Sequence, residues 1–263
     1  MKAYRAIVSA RFRMMLQYRA AAAAGLGTQL FWGFIRIMIF TAFYRVAKAP
    51  QPMTLEQVVS YVWLGQAMLA MLPWSVEPDL RVMIRSGNVA YELLRPVDLY
   101  WLWFSRSVAR RSAPTLLRAV PMFIIAGLFF GLRAPQSVGV AAAWLAAMAG
   151  AFVLSCAIST ILSISLLWTV SGEGVMVLMS GAAWLLSGMI IPLPLFPDWA
   201  QGILAFLPFR GVVDAPYRVY MGNIPLNEVW VVLAHQLAWI AAFVVVGRAL
   251  VGRGLRRLAV QGG

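Results

Sequence analysis

Residues 76–96 read VEPDLRVMIRSGNVAYELLRP. This is the one long polar interruption in the first half of an otherwise apolar chain. It carries Glu77, Asp79, Arg81, Arg85, Glu92 and Arg95 and stops at Arg95-Pro96. Its first half has the pattern of a short amphipathic helix. Leu80, Met83, Ile84 and Gly87 fall at helical spacing on one face. Glu77, Arg81 and Arg85 fall four apart on another, in the favourable acid-before-base order. Acids open the helix and arginines close it, as the helix dipole favours, and Gly87-Asn88 can end it. Pro78 is tolerable only in the first turn. Between two apolar spans such a helix has two uses. It can lie on lipid headgroups as an ordinary loop, or it can offer a surface to a soluble partner.

Working outward from it, the chain has a membrane composition. Hydrophobic residues make up 62% and charged residues 12%, against about 25% charged in soluble domains. At 263 residues the chain suits a single transmembrane domain over residues 1–263 with roughly six spans. The net charge of +13 does not point to nucleic acid, because the arginines flank apolar spans instead of clustering on a soluble basic face. Cys156 is the single cysteine, so neither an internal disulfide nor a cysteine metal cluster is expected. No Walker A, GxSxG or HExxH motif occurs, and His235 is the only histidine. The first twenty residues lack the apolar core of a secretory signal.

The spans follow in order. Residues 1–19 are a basic amphipathic segment, with Arg5, Ser9, Arg13 and Gln17 on one line. They form an interfacial helix on anionic headgroups or a helix packed on the rest of the protein. Spans are predicted at Ala20–Tyr44, Leu55–Pro73, Ala113–Leu132, Val138–Trp168, Val175–Ile191 and Glu228–Leu250. Residues 99–112, where Arg106, Arg110 and Arg111 mix with Trp101, Trp103 and Phe104, have the character of a membrane interface. The fourth apolar run is too long for one upright span. Residues 192–216 hold five prolines broken by Gly202 and Gly211, a pattern for a re-entrant or interfacial hairpin. Basic residues near span ends set orientation. The N-terminus, the loop between spans two and three and the tail carry fifteen, and the other side carries five: Arg45, Lys48, Arg133, Arg210 and Arg218. Both termini are therefore expected in the cytoplasm, with the 76–96 helix, and the 192–216 hairpin outside.

This order of parts resembles the membrane subunit of the type-2 ABC exporters. Two local patterns sharpen the likeness. Gly87-Asn-Val-Ala-Tyr-Glu-Leu-Leu-Arg-Pro96 is similar to a glycine-to-Leu-Leu-Arg-Pro element of one bacterial branch of that family. Ile191, Pro192, Phe196, Pro197, Trp199 and Leu207-Pro208-Phe209, through Pro216, Tyr220 and Gly222, are similar to its segment after span five. The resemblance implies an all-α membrane permease with six transmembrane helices and an N-terminal interfacial helix. It also implies a coupling helix between spans two and three and a re-entrant outward hairpin between spans five and six. Such a subunit sits in a bacterial inner membrane and forms half of a pore with a second permease chain, identical or related. It binds an ATP-binding subunit that holds ATP and magnesium, so this chain would need no cofactor and would be no enzyme. The coupling contact would fall on Leu80, Arg81, Met83, Ile84 and Arg85, with Glu173 in the turn TVSGEG at 169–174.

Other residues invite two readings each. Arg36, with Gln29 and the glycines Gly25 and Gly33 on nearly the same face, could line a translocation path or take an anionic headgroup; it could also pair with a carbonyl. Ser155, Ser159 and Ser163, four apart, suit close helix packing. So do Gly181 and Gly188, seven apart beside Ser180 and Ser187. His235 and Gln236 could gate or simply be satisfied inside the fold. Two rival functions need other signals. A lipid-modifying membrane enzyme needs a clustered acid–base set, whereas Asp198, Asp214 and Glu228 are scattered. An ion-coupled transporter needs acids in mid-span and an internal repeat. A largely apolar interior rich in Met and aromatics suits a drug, peptide or lipid-like cargo.

Overall fold

The computed structural model describes residues 2–17, 19–74, 76–169 and 172–255; Arg256 and Arg257, counted above in the tail, lie outside them. Among these residues every regular element is helical. The α-helices are α1 (Lys2–Leu16), α2 (Arg19–Val46), α3 (Leu55–Ala67), α4 (Pro78–Arg85), α5 (Ala90–Leu93) and α6 (Leu99–Phe129). They continue as α7 (Val138–Ser165), α8 (Glu173–Leu186), α9 (Asp198–Phe206), α10 (Asp214–Tyr220) and α11 (Val229–Leu255).

Four helical stretches are long and apolar enough to cross a membrane: 23–46, 99–129, 138–165 and 226–255. Spans two and five of the sequence reading are realised differently. α3 has 13 residues and α8 has 14, so each is about 20 Å long at 1.5 Å per residue, short of a hydrocarbon core of about 30 Å. α3 opens on a Thr54 capping box and runs into a 3-10 turn at Leu69–Met71. Most of it is buried inside the bundle. A helix wrapped by protein need not match the bilayer, because neighbours take up its free backbone groups. α8 stops at Leu186 because Gly188 has φ +89° and the chain turns there.

The bundle is built around α6 and α7. α6 packs on α1, α3 and α7, and α7 packs on α11 and α10. α6 corrects the sequence reading most. Its 31 residues run continuously through Pro114 and Pro121, whereas the sequence reading begins span three at Ala113 and leaves residues 99–112 at the interface. Asp98 caps the helix by accepting from the Trp101 amide at 3.1 Å. The first half is held by burial of Leu99, Tyr100, Leu102, Trp103 and Ala109, which outweighs the one hydrogen bond a proline removes. At about 46 Å the helix exceeds the bilayer core.

α1 lies along α6, its Tyr4 hydroxyl accepting from the Asp98 amide at 3.0 Å. Of the two readings of residues 1–19, the packed one describes its inner face, while Arg5 and Arg13 remain exposed. At the α2–α3 contact Gly33 is needed for space: a Cβ there would lie 2.6 Å from the Trp63 ring. Trp63 itself stacks on Phe130, centroids 5.2 Å apart, and donates to the Phe130 carbonyl at 3.0 Å.

The proline-rich stretch is a chain of short pieces: a 3-10 turn at Leu193–Leu195, α9, a second turn at Pro208–Gly211, and α10. Buried Asp214 fastens it. Its carboxylate accepts from Tyr61 and from the Leu193 amide, both at 3.3 Å, and its amide donates to the Ser187 carbonyl at 3.1 Å. From α11, Gln236 donates to the Ala147 and Gly211 carbonyls at 2.9 and 2.8 Å, and His235 to the Phe206 carbonyl at 3.1 Å. His235 is thus partnered inside the fold, whereas Gln236 is satisfied through its amide nitrogen and keeps its buried Oε1 without a partner.

Candidate functional site

α4 forms where it was expected, from Pro78 at its first position to Arg85, and ends on Ser86 with Gly87 at φ +75°. Its apolar side points inward. Leu80 is 1% exposed and packs with Leu99, Tyr100, Trp103 and Val251, and Ile84 is half-buried in the same cluster. Leu80 is therefore occupied by its own chain, and outward contact falls to its neighbours. Met83 is half-buried, Val82 and Arg85 are exposed, and so are Tyr91 and Leu94 in the stretch that follows. The resemblance puts Leu80 in the coupling contact, and a local pattern cannot show the ends of α6 and α11 that cover it.

Three ties hold α4. Arg11 of α1 pairs with Glu77, and with Asp79 at 3.3 Å. Burial and the nearby Arg106 guanidinium draw Arg11 below the ordinary arginine value, and Asp79 and Glu92 oppose the shift. The Arg110 guanidinium donates to the Val76 carbonyl. Arg81 pairs with Glu173, which Arg85 approaches at 3.8 Å. Glu173 is the first residue of α8, so α4 is joined directly to the start of that helix. The sequence placed Arg81, Arg85 and Glu173 on one side of the membrane; the structure brings them into contact across 92 residues of chain.

Just behind α4 is a buried pair that sequence reasoning missed. Glu92 is 2% exposed and pairs with Arg106, and it accepts from Trp103 Nε1 at 2.8 Å. Arg106 and Arg111 had been assigned to the membrane interface, yet both are buried. Arg111 donates to Ser107 Oγ at 2.7 Å and to Ser159 Oγ on α7. The serine stripe is accordingly polar glue as well as close packing: Ser159 accepts from Arg111, Ser163 donates to the Ser159 carbonyl at 2.9 Å, and Ser155 is buried. The spacing of Trp103 and Arg106, three apart on one helical face, was the available signal for an acid between them.

Deeper in the bundle, Arg36 of α2 donates to the carbonyls of Met189 and, at 2.6 Å, Ile190, just past the break in α8. These are backbone groups left free where the helix stops. Gln29 and Gln66 face the same cavity as Arg36, of about 380 Å³, with Trp32, Trp74 and Trp184 in its walls. Of the two glycines aligned with them, Gly25 faces Arg118 and Gly33 faces Trp63. The Gly181–Gly188 repeat does not act as a helical pair. Gly181 faces open space, whereas Gly188 lies beyond the helix end, with the Tyr61 hydroxyl where a Cβ would be.

A family model described as ABC-2 family transporter protein matches residues 30–262. The chain belongs to the ABC-2 transporter family. The match takes in α4, the Glu173 turn, Arg36 and the broken 192–216 stretch. Neither the curated proteins nor the solved structures gave a match. With four long apolar helices, this ABC-2 transporter protein is a multi-pass membrane protein, and its family implies an ABC transporter with an ATP-binding partner.

Proposed function

We propose that the chain is the permease subunit of an ATP-driven exporter. It forms half of a translocation pore with a second permease chain, in a bacterial inner membrane. α3 and α8, each with its irregular continuation, complete six spans, with both termini inside and the 192–216 hairpin outside. ATP and magnesium belong to the separate ATP-binding subunit.

The observation that carries this reading is the construction of α4. A short helix whose inner face is locked to α1, α6 and α8 by three ties leaves Val82, Arg85, Tyr91 and Leu94 exposed nearby. That is a rigid lever with a free outer surface. Force applied there passes through Arg81, Arg85 and Glu173 to the start of α8. It then reaches the break at Ser187–Ile190, which Arg36 and Asp214 hold. Packed elements of this kind move as rigid bodies between discrete arrangements.

Recovery of the ATP-binding subunit in pull-downs at matched permease levels tests the proposal. Val82→Ala with Leu94→Ala should lose most of the bound subunit, because apolar anchors at an interface cost about 1–4 kcal/mol each when truncated. Arg85→Ala should lose far less. Equal recovery with the double variant and the wild type would overturn the coupling role.

A further inference from the structure

The cavity between α2, α3 and α8 has mainly apolar walls, and three of the residues around it keep buried polar atoms that the fold itself does not satisfy. Gln29 is 2% exposed, and neither its amide nitrogen nor its oxygen has a hydrogen-bond partner. Gln66, 3% exposed, leaves its side-chain oxygen unpartnered. Arg36 spends Nη2 on the Met189 and Ile190 carbonyls and keeps Nη1 buried without a partner. Among the described residues Arg36 forms no ion pair. Buried polar atoms left unmet are costly, and two such amides with a spare guanidinium donor around one cavity of about 380 Å³ describe a binding site.

The remaining walls define the rest of the ligand. Leu69, Trp74 and Trp184 are apolar, and Trp32 stands half-exposed at the edge. Arg36 also borders a second cavity, of about 430 Å³, with Phe40, Phe43, Ile191 and Leu195 among its walls. A guanidinium with a spare donor and two amides at the junction of two apolar cavities matches an anionic head on a hydrocarbon or aromatic body. We infer that this is a cargo site for an anionic amphiphile that enters from the bilayer past Trp32, its charged oxygens taken by Arg36 and Gln29. The word cargo rests on the permease reading; the binding does not.

The test uses the full chain with its ATP-binding subunit in phosphatidylcholine nanodiscs. The probe is a brominated long-chain alkyl sulfate, with the brominated alcohol of the same chain as control. Bromine quenches nearby tryptophan, and Trp32, Trp74 and Trp184 line the cavity. Saturable quenching by the sulfate is expected, with only the unsaturable quenching of partitioning from the alcohol. Gln29→Leu, which leaves the Arg36–carbonyl bonds intact, should weaken the sulfate about tenfold or more. Gln66→Leu should weaken it less. Arg36→Met should abolish it, and if that variant fails to insert, the two glutamine variants still decide. The alkyl sulfate should also raise ATP turnover in the wild type and not in Gln29→Leu.

Equal quenching by sulfate and alcohol, or an unchanged Gln29→Leu, overturns the site. Saturable binding that phosphatidylglycerol displaces, without any change in ATP turnover, overturns the cargo assignment and makes the occupant a resident lipid. If no ATP-binding subunit assembles, the permease reading fails while the quenching result stands by itself.

Discussion

Arginines do two different jobs at the two ends of α8. At its start, Arg81 and Arg85 meet the carboxylate of Glu173, which is largely exposed. Past its end, Arg36 meets no carboxylate and instead binds the carbonyls of a broken helix. The first contact lies where water can solvate both charges, so it adds little stability and is free to be remade. The second sits where free carbonyls have few other donors, so it holds the backbone. Under the proposed permease reading, the difference gives the start of α8 to transmission and its far end to structure and binding.

The contrast breaks first at the buried pair behind α4. Glu92→Ala leaves Arg106 buried without its carboxylate and should cost about 3–5 kcal/mol. A large drop in the unfolding temperature in detergent is expected. Glu92→Leu with Arg106→Met should recover much of it, since replacing both members of a buried pair is often close to neutral. A single variant as stable as the wild type would show that the pair is solvated.

Arg36→Met should be the next largest, about 1–3 kcal/mol for carbonyls left unsatisfied. Arg36→Lys should keep part of the stability, because one ammonium can serve one carbonyl but not the fork of two. Limited proteolysis near Ile190 is the sharper readout: faster cutting there with the rest of the fold intact marks loss of this tie. Unchanged protection would detach Arg36 from the break in α8.

Gly188→Ala comes third, at about 1–3 kcal/mol, since φ is +89° and the Tyr61 hydroxyl occupies the space of a Cβ. Gly181→Ala, in open space, should change stability little. Equal effects at the two glycines would restore them as an equivalent packing pair.

Much of this was legible in the sequence, and the gaps have physical causes. The helical membrane character followed from composition, and α4 from its four-residue charge spacing and the Gly87 stop. Arg36 and Gln29 stood out because polar groups inside an apolar run require an explanation. Span three was begun too late, at Ala113, because a local pattern does not show the burial along 99–111 that carries one helix from Leu99 through Pro114. α3 and α8 were drawn too long, because apolar runs say where a chain is dry but not where a helix turns. Arg106 and Arg111 were placed among headgroups because their partners, Glu92 and Ser159, are invisible to a local pattern. Leu80 was put in the coupling contact for the same reason: what covers it comes from α6 and α11.

The smallest effect on stability bears most directly on the mechanism. Exchanging the charges between α4 and α8 should shift the unfolding free energy by at most about 1 kcal/mol, as exposed pairs do. ATP turnover of the assembled complex should respond quite differently. Arg81→Glu should uncouple it from cargo, and adding Glu173→Arg should restore much of the lost stimulation. If Arg81→Glu leaves cargo-stimulated turnover intact, or if the reciprocal exchange rescues nothing, α4 does not act through Glu173 and the account of force transmission is wrong.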